Sequence, residues 1–419
     1  MEYPEKKLWD MPMIGLQDRN LDPVENPKTL RQVRQGSVTN DFDMEAHINS
    51  EDGQRQAQNW ANVITWRDEM DPHVLAYWEN LGWKKSLYDT EDQDKRWSCF
   101  TPISSLKEEN KDRKYPLYFI MHGGITPVYE MEGYGMIQPT APDEPFVIIP
   151  YKLDLSRFLE IYHYAITHFP IDRGRVYIFS YCGGSRANQF GLRYPELFAG
   201  IAPCGNPLRE NYKPVLWYSD YERVRRLGLP CIHMDGLDDL TQLLPIYSTG
   251  DSRRSEDPDY PGRTGNMPLA KREYKVNCLR DMLFTFGCRD VTAEEVYACE
   301  QSEDEVRRKV GVPADNTFVE TVLGKRHYVA SFNNQHGDDR MRIVGIESMG
   351  HFPDATLGMA VWEYLRKFRR NMETGGIEII GQESKEPAQD YGPFDPDRYL
   401  HDNGNREHGY TTAWDGTPV

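Results

Sequence analysis

The sequence predicts an α/β fold, a mostly parallel central sheet flanked by helices, and three observations predict it. Short runs rich in β-branched and aromatic residues recur through the middle of the chain, among them Tyr115-Pro-Leu-Tyr-Phe-Ile-Met121, Phe146-Val-Ile-Ile-Pro150 and Val176-Tyr-Ile-Phe179. Segments with apolar residues at helical spacing separate them, as over 155–169. Glycine-bearing turns follow several of the strands. Strands alternating with helices of this length build a parallel sheet covered on both faces.

Residues 1 to about 92 are polar, with helical patches at 44–67 and 73–83, and read as an N-terminal extension packed on the core. The core, 93–372, opens with the strand Lys95-Arg-Trp-Ser-Cys-Phe-Thr-Pro102, and Lys111-Asp-Arg-Lys114 marks a turn. The strand 115–121 runs into His122-Gly123-Gly124. After the strand 146–150 and the helix 155–169 comes the strand 176–179. Ser180-Tyr181-Cys182-Gly183-Gly184 and a helix to about Tyr194 follow it. Gly200-Ile-Ala-Pro203 and Cys231-Ile-His-Met234 are further strands, the second leading into the turn Asp235-Gly236-Leu237-Asp238-Asp239.

From about 251 to 325 the character changes. Residues 252–265, rich in charge, Pro and Gly, read as a loop, and helices are expected at 267–286, 292–300 and 302–310. Thr292-x-x-Glu295 and Ser302-x-x-Glu305 fit capping boxes, and Gly311 with Pro313 supplies a stop. This helical insertion reads as a candidate lid, whose deletion would alter substrate range more than fold. Strand character returns over 322–332 and 341–346, with His336-Gly-Asp-Asp339 as a hairpin turn rather than a metal site. Gly350-His351 follows, and a helix over 355–369 closes the core. The tail, 373–419, is acidic and rich in Pro, Gly and Tyr.

Composition narrows the function. A chain of 419 residues buries one large core, and a hydrophobic fraction of 39% fits one core with polar additions. The mean hydropathy is -0.71. A formal charge of -17 argues against nucleic-acid and anionic-membrane partners. No run of apolar residues is long enough to span a membrane, and no apolar stretch follows Met1-Glu-Tyr-Pro-Glu-Lys-Lys7 to make a secretory signal. The seven cysteines are dispersed and form no CxxC pair, so neither a disulfide framework nor a zinc site is expected. A cytoplasmic location is the expectation, one that suits a catalytic thiol.

The chemistry lies in four signals. Ser180-Tyr181-Cys182-Gly183-Gly184 reads small-x-nucleophile-x-small between a strand and a helix, the pattern of a nucleophile elbow, with Cys182 where serine usually stands. His122-Gly123-Gly124, Gly236-x-x-Asp239 and Gly350-His351 each follow a predicted strand. Their order, nucleophile then acid then histidine, is that of an α/β-hydrolase fold.

The segments Ile171-Asp-Arg-Gly-Arg-Val-Tyr-Ile178 and Arg193-Tyr-Pro-Glu-Leu-Phe-Ala-Gly-Ile-Ala-Pro203 resemble the polyhydroxyalkanoate depolymerase and feruloyl esterase branch of the α/β-hydrolases. The resemblance covers roughly 112–245 and 320–370, and implies ester chemistry. Two departures stand out. Cysteine replaces serine, as in dienelactone hydrolase, and the helix before Pro195 is one residue short.

The catalytic roles follow from residue chemistry. Cys182 at a helix N-terminus and beside an imidazole is expected to ionise readily. His351 would pair with the thiolate and protonate the leaving group, and Asp239 would orient His351. Backbone N–H groups of Gly183 and of Gly123 or Gly124 would receive the oxyanion. Tyr181, His122, Tyr129 and Phe352 flank the proposed site and are candidate substrate contacts, as is Tyr134. Asp238 rivals Asp239 as the acid, and Ser185 rivals Cys182 as nucleophile.

The sequence thus predicts a hydrolase for a small-molecule ester, lactone or thioester, with no metal or other cofactor. Three alternatives stay open. One is an acyltransferase or cyclase using the same acyl-cysteine, and another is a binding protein that kept the fold. The third is a cysteine introduced in place of serine.

Overall fold

The computed structural model describes residues 8–11, 28–39, 41–63, 70–92, 95–121, 131–132, 135–151, 155–182, 185–205, 221–239, 243–248, 272–382 and 394. Twelve strands are named in chain order: β1 Trp83–Tyr88, β2 Trp97–Pro102, β3 Tyr115–Met121, β4 Phe146–Pro150, β5 Ile171–Ser180, β6 Gly200–Pro203, β7 Cys231–Gly236, β8 Asn316–Val322, β9 Lys325–Asn333, β10 Asp339–Ile346, β11 Phe368–Arg370 and β12 Ile377–Ile379. The helices are α1 Leu30–Gln35, α2 Met44–Asn49, α3 Glu51–Val63, α4 Pro72–Asn80, α5 Leu155–His168, α6 Ser185–Arg193, α7 Tyr221–Arg226, α8 Arg272–Thr285, α9 Ala293–Ala298, α10 Glu305–Val310 and α11 Ala355–Leu365.

Ten strands form one sheet in the order β1-β2-β4-β3-β5-β6-β7-β10-β9-β8. Neighbours from β4 through β3, β5, β6 and β7 to β10 pair in parallel. The flanks β1-β2 and β9-β8 are antiparallel hairpins. This is a mostly parallel sheet flanked by helices, the α/β architecture expected from the sequence. The chain leaves β3 for β4 on one side and β5 on the other, so the switch point of the sheet lies at the carboxyl ends of β3 and β5.

Alternation within the strands supplies both faces of the core. In β3, Tyr115, Leu117, Phe119 and Met121 face one cluster, while Tyr118 and Ile120 face the other. The first cluster is covered by α5, α6 and α8, through residues such as Phe158, Phe190 and Leu279. The second is covered by α11 and the N-terminal helices, through residues such as Trp362, Leu30 and Trp60.

Three differences from the sequence-based expectation have physical causes. The sheet begins at Trp83 rather than after residue 92, because β1 pairs along its whole length with β2 and Trp83 is buried. The segment expected as a lid supplies core: Val276, Leu279, Met282, Leu283 and Val296 are buried in the first cluster. β8, within that same segment, is the sheet's edge strand. The capping box at Thr292 and Glu295 forms, whereas α10 is capped by Asp304, whose carboxylate accepts the N–H groups of Val306 and Arg307 in place of Ser302.

Candidate active site

Three loops at the carboxyl ends of parallel strands converge on Cys182. β5 ends at Ser180, and Tyr181 and Cys182 turn the chain towards α6. Cys182 has φ 62°, a left-handed conformation that a residue with a Cβ adopts only under constraint. The constraint includes Ser180, whose Oγ accepts the Ala187 N–H at 3.1 Å and ties the strand end to the first turn of α6. A strained residue between strand and helix is the geometry that presents a nucleophile above the sheet.

The acid and histidine loops meet through glycine. A Cβ on Gly236 would lie 2.0 Å from the Met349 carbonyl oxygen, so only glycine permits the approach. The amides of Leu237 and Asp238 donate to the carbonyls of Ile346 and Met349 at 2.9 and 3.0 Å. Asp239 is thereby set beside His351. Its Oδ2 lies 2.8 Å from His351 Nδ1, and His351 Nε2 lies 2.9 Å from Cys182 Sγ. Asp238 is engaged elsewhere: its carboxylate accepts the Ser348 backbone N–H, and its carbonyl accepts the Thr39 N–H at 3.0 Å.

The electrostatics fit the line. Burial by itself would lower the pKa of His351, but the Asp239 carboxylate and the Cys182 sulfur outweigh it and hold the imidazole well above its ordinary value. Asp239 is 1% exposed, while Cys182 is partly exposed. The other six cysteines are buried. Burial pushes the thiols of Cys99 and Cys288 up to about 12, and Cys204 and Cys231 also upward. Cys204 Sγ is directed to the Ile232 carbonyl at 3.8 Å, and no disulfide joins it to Cys182.

Two expected substrate contacts are committed to the scaffold. The Tyr181 hydroxyl donates to the Gly350 carbonyl at 3.3 Å, and its buried ring lies 5.7 Å from that of His351. Phe352 is buried beneath the Arg34 guanidinium, 3.1 Å from its ring centroid. His122, Gly123, Gly124, Tyr129, Tyr134 and Gly183 lie outside the described residues. Ser185 opens α6, past the turn that holds Cys182. Among the described residues, no group of three or more His, Cys, Asp or Glu is arranged to hold a metal ion. No helix among them is long and apolar enough to cross a membrane.

Two features escaped sequence reasoning. On β7, His233 and Asp235 are buried, with Nε2 2.7 Å from Asp235 Oδ2 and Nδ1 2.7 Å from the Pro203 carbonyl oxygen. A carbonyl only accepts, so Nδ1 carries a proton. Burial raises the Asp235 pKa, and His233 offsets part of the rise. The alternation His-x-Asp on one strand face was the available signal. The second feature is the N-terminal segment, whose residues 37–39 lie against the loops of Asp239 and His351.

No protein-family model matches the chain. No curated protein matches it. Among solved structures, a ferulic acid esterase is 16% identical with a TM-score of 0.30, over 38% of this chain and 79% of that one. A thermostable esterase is 19% identical with a TM-score of 0.27, over 38% of this chain and 47% of that one. An S-formylglutathione hydrolase from Agrobacterium tumefaciens is 16% identical with a TM-score of 0.29, over 38% and 77%. At this level of identity and overlap the likenesses assign no activity, and the chemistry rests on the site itself.

Proposed function

We propose that the protein is a cysteine-dependent hydrolase that cleaves a carboxylic ester, lactone or thioester through Cys182, His351 and Asp239. The observation that carries this reading is the unbroken line from Asp239 through His351 to the sulfur of Cys182, a partly exposed residue on a strained strand–helix turn. The Cys182 thiolate attacks the acyl carbon and an S–C bond forms. The oxyanion is received by the N–H of Gly183 and one from His122-Gly123-Gly124. Register supports that pairing: Met121 on β3 lies opposite Ser180 on β5, so the two loops leave the sheet side by side.

Collapse of the tetrahedral intermediate expels the alkoxide or thiolate, which takes its proton from His351 Nε2. Water then attacks the thioester, giving its proton back to His351, and the acid product leaves as the Cys182 thiolate reforms. A thiolate is itself a good leaving group. The intermediate therefore returns to substrate unless the competing group also departs easily, which favours lactones, thioesters and aryl or enol esters over simple alkyl esters. No step requires a cofactor.

The test is intact-mass spectrometry after mixing with a panel of activated esters. An acyl adduct on the wild type that disappears in Cys182→Ala is the expected result. Turnover undiminished in Cys182→Ala, or no adduct with any ester, would remove the reading.

A further inference from the structure

We infer that residues 28–63 are a positioning part of the active site, holding the loops of Asp239 and His351 in register; this rests on the reading of Cys182 and His351 given above. The segment reaches both loops through its backbone. The Ser37 carbonyl accepts the His351 N–H at 2.7 Å, and the Thr39 N–H donates to the Asp238 carbonyl at 3.0 Å. Val38 between them forms an antiparallel bridge with Asp239 itself. One short stretch of backbone thus fixes the acid and the histidine, which stand 112 residues apart in the chain.

The crossing is close enough to dictate sequence on the other side. A Cβ on Gly350 would lie 2.4 Å from Val38 Cγ1 and 2.5 Å from the Ser37 carbonyl oxygen. Gly350 is therefore glycine because the segment passes directly over it.

Buried charge anchors the segment. Lys325 on β9 lies between Asp52 of α3, at 2.7 Å, and Asp354, at 2.5 Å. Asp354 caps α11 by accepting the Leu357 N–H at 3.1 Å, three residues beyond His351. Burial opposes the charge on Lys325, yet the two carboxylates hold its pKa above the ordinary value. Gln56 continues the network, donating to Asp52 at 2.8 Å and accepting from Arg34, whose guanidinium covers Phe352. Removing one member of such a cluster leaves a buried charge uncompensated. The segment is consequently released at its anchor without touching the catalytic side chains.

The test uses the full chain and reads ionisation of Cys182, a quantity that a merely structural role would not move. Iodoacetamide alkylation of Cys182 is followed by mass spectrometry across pH, with thermal unfolding recorded in parallel; the other cysteines are buried. Asp52→Ala loosens the anchor, and Gly350→Ala pushes at the crossing, so one remains informative if the other fails to fold. In wild type the alkylation midpoint is expected below the ordinary thiol value of about 8.5. In each folded variant it is expected to rise by about one unit, with an about tenfold lower alkylation rate at any pH below both midpoints. A wild-type midpoint at the ordinary value would overturn this inference together with the proposed function. A lowered wild-type midpoint that both variants leave in place, whatever their unfolding temperatures, overturns this inference alone.

Discussion

Asp239 has two tasks at the scale of single residues, and a single substitution strikes both. It fixes which nitrogen of His351 faces Cys182, and its charge sustains the imidazolium against burial. Asp239→Asn keeps the shape but removes the charge and, with its NH2 towards Nδ1, selects the wrong tautomer of His351, so kcat/KM is expected to fall on the order of a thousandfold or more with the fold intact. Steady-state hydrolysis of an aryl ester measures it, and a loss below tenfold would show that Asp239 is not the partner that matters. Gly236→Ala strikes the same arrangement from the backbone, because its Cβ would displace the Met349 carbonyl. At least a tenfold loss in kcat is expected, with KM little changed. Unaltered kcat would mean that the acid and histidine loops tolerate separation. At this scale the convergence of the three residues was legible. Cys182, Asp239 and His351 each follow a strand end and stand among small residues that a tight approach requires. Ser37, Val38 and Thr39 were not legible, since they act through backbone groups that every residue possesses.

Elements were legible where their pattern was simple. β3, β4 and the second half of β5, from Val176 to Ser180, are buried on both faces, and their runs of apolar residues announce it. β8 was hidden because an edge strand exposes half its residues, and Asn316–Val322 reads as polar. Its turn was hidden as well: Leu323 and Gly324 both have positive φ, the geometry of a tight hairpin, but leucine is not a residue that signals it. The same ambiguity made α8 look like part of a lid. Leu279 is fully buried among core residues, so Leu279→Ala is expected to destabilise the protein by about 3 kcal/mol. Urea denaturation provides the measurement. A cost under about 1 kcal/mol with a changed substrate preference would restore the lid.

The whole molecule joins its two core layers to a polar seam at one corner, where α2, α3, β9 and the start of α11 meet. The seam sets Asp52 and Asp354 against Lys325, Arg34 and the partly exposed Arg55, and it also encloses two histidines. His47 is driven down to about 3, first by burial and then by the charges of Lys325 and Arg34. His327 is driven down to about 4 by burial, only partly opposed by Asp354, and neither of its ring nitrogens has a hydrogen-bond partner among the described residues. Both are therefore neutral in the folded protein at neutral pH, whereas in the unfolded chain they titrate near the ordinary 6.5. The sign follows from proton counting. Above pH 6.5 neither state binds these protons and stability is unaffected. As pH falls below 6.5 the unfolded chain takes them up and the folded protein does not, until about 4 for His327 and about 3 for His47. At pH 5 each histidine is expected to cost about 2 kcal/mol relative to pH 7.5. Because the seam anchors the segment over the catalytic loops, acid should loosen the site as it loosens the fold. The check is urea denaturation at both pH values for wild type and for His47→Phe with His327→Phe. The double variant should lose most of the pH dependence between 7.5 and 5, and an unchanged dependence would place the acid sensitivity elsewhere in the molecule.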